Sequence, residues 1–218
     1  GIKWMLGSSG YGHRLAYLIV HVLKPGLVHL GTPCTKMCQI GQKDELDDHT
    51  LFLVDFTLDV MEYQEANDCL ATRENPKGSR IHTLPQVVTR QGSLTEPTAP
   101  WTHIVASGCM LGMQYEGADE DKGMPMQKYQ VWTSNFSLED MEVTCGPEHA
   151  LCGATHQHKQ IRGSHKIEGE GWMSIASRSG RYTAEQALAY LKCASRALVD
   201  VERNTWEVDP DCQLVRAA

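Results

Sequence analysis

Three stretches of this chain carry side chains whose types and spacing suit chemistry. The first is GTPCTKMC, residues 31–38, which places Cys34 behind a proline and Cys38 four residues on. A thiolate is both a strong soft nucleophile and a metal ligand. The three-residue gap between the two cysteines is not the Cys-x-x-Cys of redox enzymes, so Cys38 reads as packing. The second is Glu74-Asn75-Pro76, a carboxyl group at a proline turn 40 residues after Cys34. Taken alone, each has a plain reading: a small buried thiol and a solvated carboxylate. Taken in order, they offer a nucleophile and an acid. The third holds Cys145, Cys152, His156, His158 and His165 within 21 residues. Zinc favours such donors, but Cys-x6-Cys-x3-His-x-His matches no standard finger. We therefore read it as a polar, irregular segment (145–171) packed against a sheet or facing a nucleic acid, and assign no metal. His156, His158 and Arg162 are placed to touch phosphate.

The elements around these residues follow from periodicity. His13–Leu23 sets Leu15, Leu18, Ile19 and Val22 on one helical face, and Lys24-Pro25-Gly26 stops it. Leu27–Leu30 reads as a short buried strand leading into the Cys34 loop. Asp47 or Asp48 caps a helix to about Gln64, with Leu51, Val54, Leu58 and Met61 at helical spacing. Cys69–Arg73 then reads as a strand that runs out into Glu74-Asn75-Pro76. Strand, helix, strand is a βαβ unit, which implies a parallel sheet with ligands at the carboxyl ends of its strands. The Cys34 and Glu74 loops both leave the sheet there. Gln86–Pro100 reads as a loop, Trp101–Ser107 and Tyr129–Ser134 as strands, and Gly117–Lys122 as an exposed acidic loop. Thr183 with Gln186 forms a capping box for a helix over Thr183–Val199, with Leu188, Leu191, Ala194 and Leu198 as its apolar stripe.

The totals bound the rest. The 218 residues suit one domain, here residues 1–204, followed by a poorly ordered tail at 205–218. A net charge of −7 argues against nucleic-acid binding by bulk electrostatics, but not against a local basic groove. No apolar run approaches the roughly 20 residues of a membrane span, so no membrane association is expected. Eight cysteines without a recognisable secretory signal point to reduced thiols and an intracellular protein.

The Pro-Cys loop after a strand, a helix, and a strand ending in Glu-Asn-Pro resemble the core of cytosine-C5 DNA methyltransferases, in a short phage-type form. GMPMQKYQVW at 123–132 is similar to the family's Gly-x-Pro-Gln-Lys-Arg segment, and the resemblance covers roughly residues 27–136. It implies an α/β, Rossmann-like parallel sheet with flanking helices, here truncated at the N-terminus. It implies S-adenosylmethionine as cofactor and DNA as partner, with Cys34 as nucleophile and Glu74 as the acid at N3 of cytosine. Pro33, Asn75 and Pro76 are implied at the cofactor, and Gln127 and Lys128 at the DNA; Arg162, read above as a phosphate contact, is a further DNA-binding candidate outside the resemblance. The chain departs from the family where only 33 residues precede Cys34, where LGSSGYG at 6–12 follows no clear strand, where Cys38 replaces a serine, and where Tyr129 and Val131 replace arginines. Those departures frame the alternative: a catalytically inactive methyltransferase-like module, from a mobile-element polyprotein, that binds nucleic acid or a protein partner. A third reading is a small zinc protein built on 145–165.

Overall fold

The computed structural model describes residues 11–32, 36–37, 45–117, 119–146, 157–161, 163–167, 171–175 and 179–208. In chain order the named elements are α1 (Tyr11–Leu23), β1 (Leu27–Leu30), α2 (Asp48–Glu65), β2 (Leu70–Pro76), α3 (Pro85–Gln91), β3 (Thr102–Ser107), β4 (Tyr129–Ser134), β5 (Ser164–Ile167), β6 (Gly171–Ser174) and α4 (Ala184–Val208).

The βαβ unit is present. Asp47 caps α2 by accepting from the Thr50 amide at 2.9 Å, and β1 pairs in parallel with β2. Because α2 is apolar around much of its girth, it packs on three partners. Val54 and Leu58 meet Met37, Ile81 and Val87; Phe56 and Val60 meet α1; Met61 meets Ala71 and Trp101.

The sheet is mixed rather than wholly parallel. Its order is β1-β2-β4-β3, with β4 antiparallel to both neighbours. β1, β2 and β3 therefore still run in one direction, and β4 is inserted reversed. The reason lies in the β3–β4 connection: it returns along one end of the sheet with no crossover to the other end, and such a return forces antiparallel pairing. The carboxyl ends of β1, β2 and β3, and the entry of β4, consequently share one edge. α4 covers one face of the sheet, where Leu70, Ile104, Ala106 and Trp132 meet Cys193 and Ala194; α2 covers the other.

Other expectations change in detail. Residues 86–100 are not all loop: Pro85 opens α3, where a missing N–H costs nothing, and Val87 is buried. α3 ends at Gly92 (φ 80°), where a Cβ would strike the backbone of Glu96–Thr98. The segment 145–171 is not irregular throughout, because β5 forms a hairpin with β6. α4 continues past Asn204 to Val208, with 209–218 outside the described residues. The apolar stripes of the two outer helices also lie elsewhere. α1 packs through Ala16, Tyr17 and Val20, and leaves Leu15, Leu18 and Val22 exposed. α4 packs through Tyr190, Cys193, Ala194, Ala197 and Leu198, and leaves Leu188 and Leu191 exposed. No helix among the described residues is long and apolar enough to cross a membrane.

Candidate active site at the carboxyl edge of the sheet

A central strand ordinarily reads as an apolar run. β2 instead buries Thr72, Arg73, Glu74 and Asn75 in succession. Four consecutive buried polar residues need partners, and those partners define the site. Pleating sends Thr72 and Glu74 to the α4 face, and Arg73 and Asn75 to the α2 face.

Glu74 belongs to β2 itself, opposite Trp132, rather than to a loop beyond it. It is 8% exposed. Its Oε1 accepts from Gln130 Nε2 at 2.9 Å and its Oε2 from the Tyr182 hydroxyl at 3.3 Å. Gln130 is oriented in turn by Gln186 Nε2, which donates to Gln130 Oε1 at 2.7 Å. The expected capping box is therefore half formed. Thr183 Oγ1 accepts from the Gln186 amide, while the Gln186 side chain reaches the sheet instead of its own helix end.

The Tyr182 hydroxyl also meets His29 Nε2 at 2.8 Å; His29 Nδ1 meets Thr72 Oγ1 at 2.7 Å, and Thr72 Oγ1 meets the Tyr190 hydroxyl at 2.9 Å. His29 stacks on Trp132 with ring centroids 5.1 Å apart. Burial lowers the His29 pKa to about 4, so the ring is neutral at pH 7. Burial, then the Glu74 charge, raises the Tyr182 pKa. With one proton per group, the chain has two self-consistent directions. With Glu74 ionised, protons point from Tyr190 through Thr72 to His29 Nδ1, and from His29 Nε2 through Tyr182 to Glu74. With Glu74 protonated, every bond reverses and His29 changes tautomer. The protonation of Glu74 is thus coupled to a hydrogen-bond chain that ends on α4.

On the other face, Asn75 is 1% exposed and donates from Nδ2 to the Thr32 carbonyl at 2.9 Å. Thr32 Oγ1 meets Thr57 Oγ1 of α2 at 2.9 Å. Five residues further on, Met37 is fully buried and its carbonyl accepts from the Arg80 amide at 2.8 Å. The loop that carries Cys34 is therefore pinned on both sides, at Thr32 and at Met37. Beside Asn75, the 1%-exposed Arg73 donates to Gln91 Oε1 at 2.8 Å and to Asn75 Oδ1 at 3.4 Å, while its Nη2 has no partner among the described residues. Burial lowers the Arg73 pKa to about 10. Burial and the Arg73 charge hold His82 at about 4 and also lower His103.

Pro33, Cys34 and Arg162 lie outside the described residues. Pro76 closes β2, and its carbonyl accepts from His82 Nε2 at 3.0 Å. Gln127 is exposed and donates to the Tyr129 hydroxyl; Lys128 donates to the Ser179 carbonyl at 2.8 Å, tying the β4 entry to the segment before α4. A cavity of about 460 Å³ opens at the same edge, lined among others by Met113, Glu116, Lys122, Met126, Arg181 and Tyr182. That is within the range of small-molecule sites. Sequence reasoning missed His29, Tyr182, Tyr190, Gln130 and Gln186. They converge only through pairing between distant elements, and no local spacing signals them. Of the Cys/His segment, Cys145 and His158 come together, joined by Cys109 from beyond β3; Cys152 and His156 lie outside the described residues. No protein-family model, no curated protein and no solved structure matches this chain.

Proposed function

We propose that this chain methylates cytosine at C5 in DNA, with S-adenosylmethionine as methyl donor, Cys34 as nucleophile and Glu74 as acid. The observation that carries the reading is the Asn75–Thr32 hydrogen bond. It joins the residue next to Glu74 to the backbone two residues before Cys34, so the end of β2 and the start of the Cys34 loop share one anchored edge.

The chemistry runs through this chain's own groups. The target base leaves the duplex stack to be reached. Attack of the Cys34 thiolate on C6 forms a C–S bond and drives an electron pair toward N3, where the Glu74 proton neutralises it. S-adenosylmethionine, when bound, would supply the methyl group to C5 and leave as S-adenosylhomocysteine. Loss of the C5 proton to a water molecule expels the Cys34 thiolate, the ring is restored, and the N3 proton returns to Glu74. The chain through Tyr182 and His29 accommodates both protonation states of Glu74. Asn75, implied at the cofactor, has its amide engaged with Thr32 and Arg73; its part is to hold the loop. The cavity beside Tyr182 carries Glu116, Lys122 and Arg181, charges of both signs that suit the amino-acid end of the methyl donor. Lys77, Lys122 and Gln127 are exposed at the same edge and offer contacts to the DNA backbone.

The test is transfer of a tritiated methyl group from S-adenosylmethionine to mixed-sequence duplex DNA. The wild-type chain incorporates label. Cys34→Ser falls to background, and Glu74→Gln falls by about 10²–10⁴-fold. Incorporation unchanged in Cys34→Ser rules the mechanism out, and no incorporation by folded wild type returns the chain to the inactive binding module.

A further inference from the structure

A second group of reactive side chains lies away from Glu74. We propose that Cys109, Cys145 and His158 bind one zinc ion that clamps three separate segments of the chain. This proposal does not depend on the methyltransferase reading.

The donors come from three places. Cys109 is buried in the 3₁₀ turn that follows β3 (Gly108–Leu111), Cys145 follows the turn after β4, and His158 lies in the approach to β5. Thirty-six residues separate the two cysteines, which is why no spacing motif reveals the set. Their donor atoms all lie within 4.8 Å of one another, and Cys145 Sγ is 3.4 Å from His158 Nε2. A thiolate and an imidazole on one tetrahedral zinc, at about 2.3 Å and about 2.0 Å, stand about 3.5 Å apart. The observed separation is that of two ligands sharing an ion.

The fold holds this arrangement by three backbone–backbone bonds and one from a backbone amide to a serine hydroxyl. The Cys145 amide donates to Ser107 Oγ at 2.9 Å, and the Ser107 amide donates to the Val143 carbonyl at 2.7 Å. The Gly108 amide donates to Lys128 O at 2.7 Å, and the Lys159 amide donates to Pro125 O at 2.9 Å. Each donor thus sits beside a residue fixed to a neighbouring segment, so little further ordering is needed on binding. Two thiolates and an imidazole select zinc over the hard cations. A nucleophilic Cys145–His158 pair is the competing use of the 3.4 Å contact. Against it, a second sulfur lies within the same 4.8 Å, and none of the three residues lines the cavity. Three protein donors leave the fourth position of a tetrahedral zinc to a further ligand. The sequence carries two more donors, Cys152 and His156, between Cys145 and His158; they lie outside the described residues, and the proposal rests on the three described donors.

The full chain, purified under reducing conditions and passed through gel filtration, is assayed for metal by mass spectrometry and titrated with Co²⁺ in the absence of oxygen. The expected result is about one zinc per chain. Cobalt should give thiolate charge-transfer absorption in the near ultraviolet and intense visible bands of a tetrahedral centre. Cys145→Ser and His158→Gln should each lose metal retention, while Cys69→Ser, a cysteine outside the cluster, should keep it. A chelator should lower the melting temperature of wild type and leave that of the two ligand variants unchanged. The proposal is overturned if wild type melts cooperatively yet binds neither Zn²⁺ nor Co²⁺, or if the folded ligand variants retain full stoichiometry. The wild-type measurement decides the matter even where a variant fails to fold.

Discussion

Acid should destabilise this protein well above the pH at which carboxylates titrate, because its fold holds one buried and one partly buried histidine neutral. His29 and His82 each have a folded pKa of about 4, against an unfolded value of 6.5, with burial as the main cause. Between those values the unfolded chain binds protons that the folded chain refuses. Stability therefore rises with pH across this window; it is fully present above about pH 6.5 and is lost as pH falls toward 4. For one such histidine, lowering the pH from 7.5 to 5 costs about 2 kcal/mol at 1.36 kcal/mol per pKa unit. The pair together costs about 4 kcal/mol, a large share of the roughly 5–15 kcal/mol that holds a domain folded. His103 shifts in the same direction. The assay is urea unfolding followed by tryptophan fluorescence and circular dichroism at several pH values from 7.5 to 5, with chelator present so that metal release does not add protons. His29→Gln should reduce the loss between pH 7.5 and 5 by about 2 kcal/mol relative to wild type. A stability that stays flat over this range, or equal losses in wild type and His29→Gln, would refute the argument that the fold holds His29 uncharged.

Other substitutions probe the same frame. Tyr182→Phe removes the hydroxyl shared by His29 and Glu74 and should cost about 1–3 kcal/mol in urea unfolding. Asn75→Ala leaves the Thr32 carbonyl without its donor; a similar loss of about 1–3 kcal/mol is expected, together with loss of methyl transfer. On α4, Leu191→Ala should change stability by no more than about 0.5 kcal/mol because the side chain is exposed, whereas Trp132→Ala beneath that helix should cost about 3–5 kcal/mol. Comparable costs for the two would mean that α4 presents a different face to the sheet.

The sequence made the elements legible where one periodicity dominated. Val54, Leu58 and Met61 mark the buried side of α2, and the β-branched and aromatic residues of β3 and β4 mark strands. Strand order was not legible, since β4 reaches its place between β2 and β3 through pairing rather than through any local signal. Helix faces failed where apolar residues surround the axis. α4 chooses Tyr190 over Leu188 and Leu191 because the tyrosine both packs near Trp132 and reaches Thr72 with its hydroxyl. The Glu74 site was half visible. Its carboxylate and the Asn-Pro that follow it could be read directly, but the tyrosines, histidine and glutamines that hold it could not. Their roles depend on a central strand that buries four polar residues, a choice that looks unfavourable until its partners are seen. The sequence likewise showed Cys145 and His158 only as two of five clustered Cys and His residues, with no sign that Cys109 joins them.

The most direct test of the proposed chemistry uses duplex DNA of mixed sequence in which cytosine carries fluorine at C5. Methyl transfer then proceeds, but no C5 proton remains to leave, so the enzyme stays covalently bound through its nucleophile. With S-adenosylmethionine present, the wild-type chain should form a complex with this DNA that survives denaturing electrophoresis, with the DNA attached at Cys34 by peptide mass mapping, and Cys34→Ser should form none. A wild-type chain that binds the DNA yet leaves no covalent complex, or an adduct that persists in Cys34→Ser, would contradict the assignment.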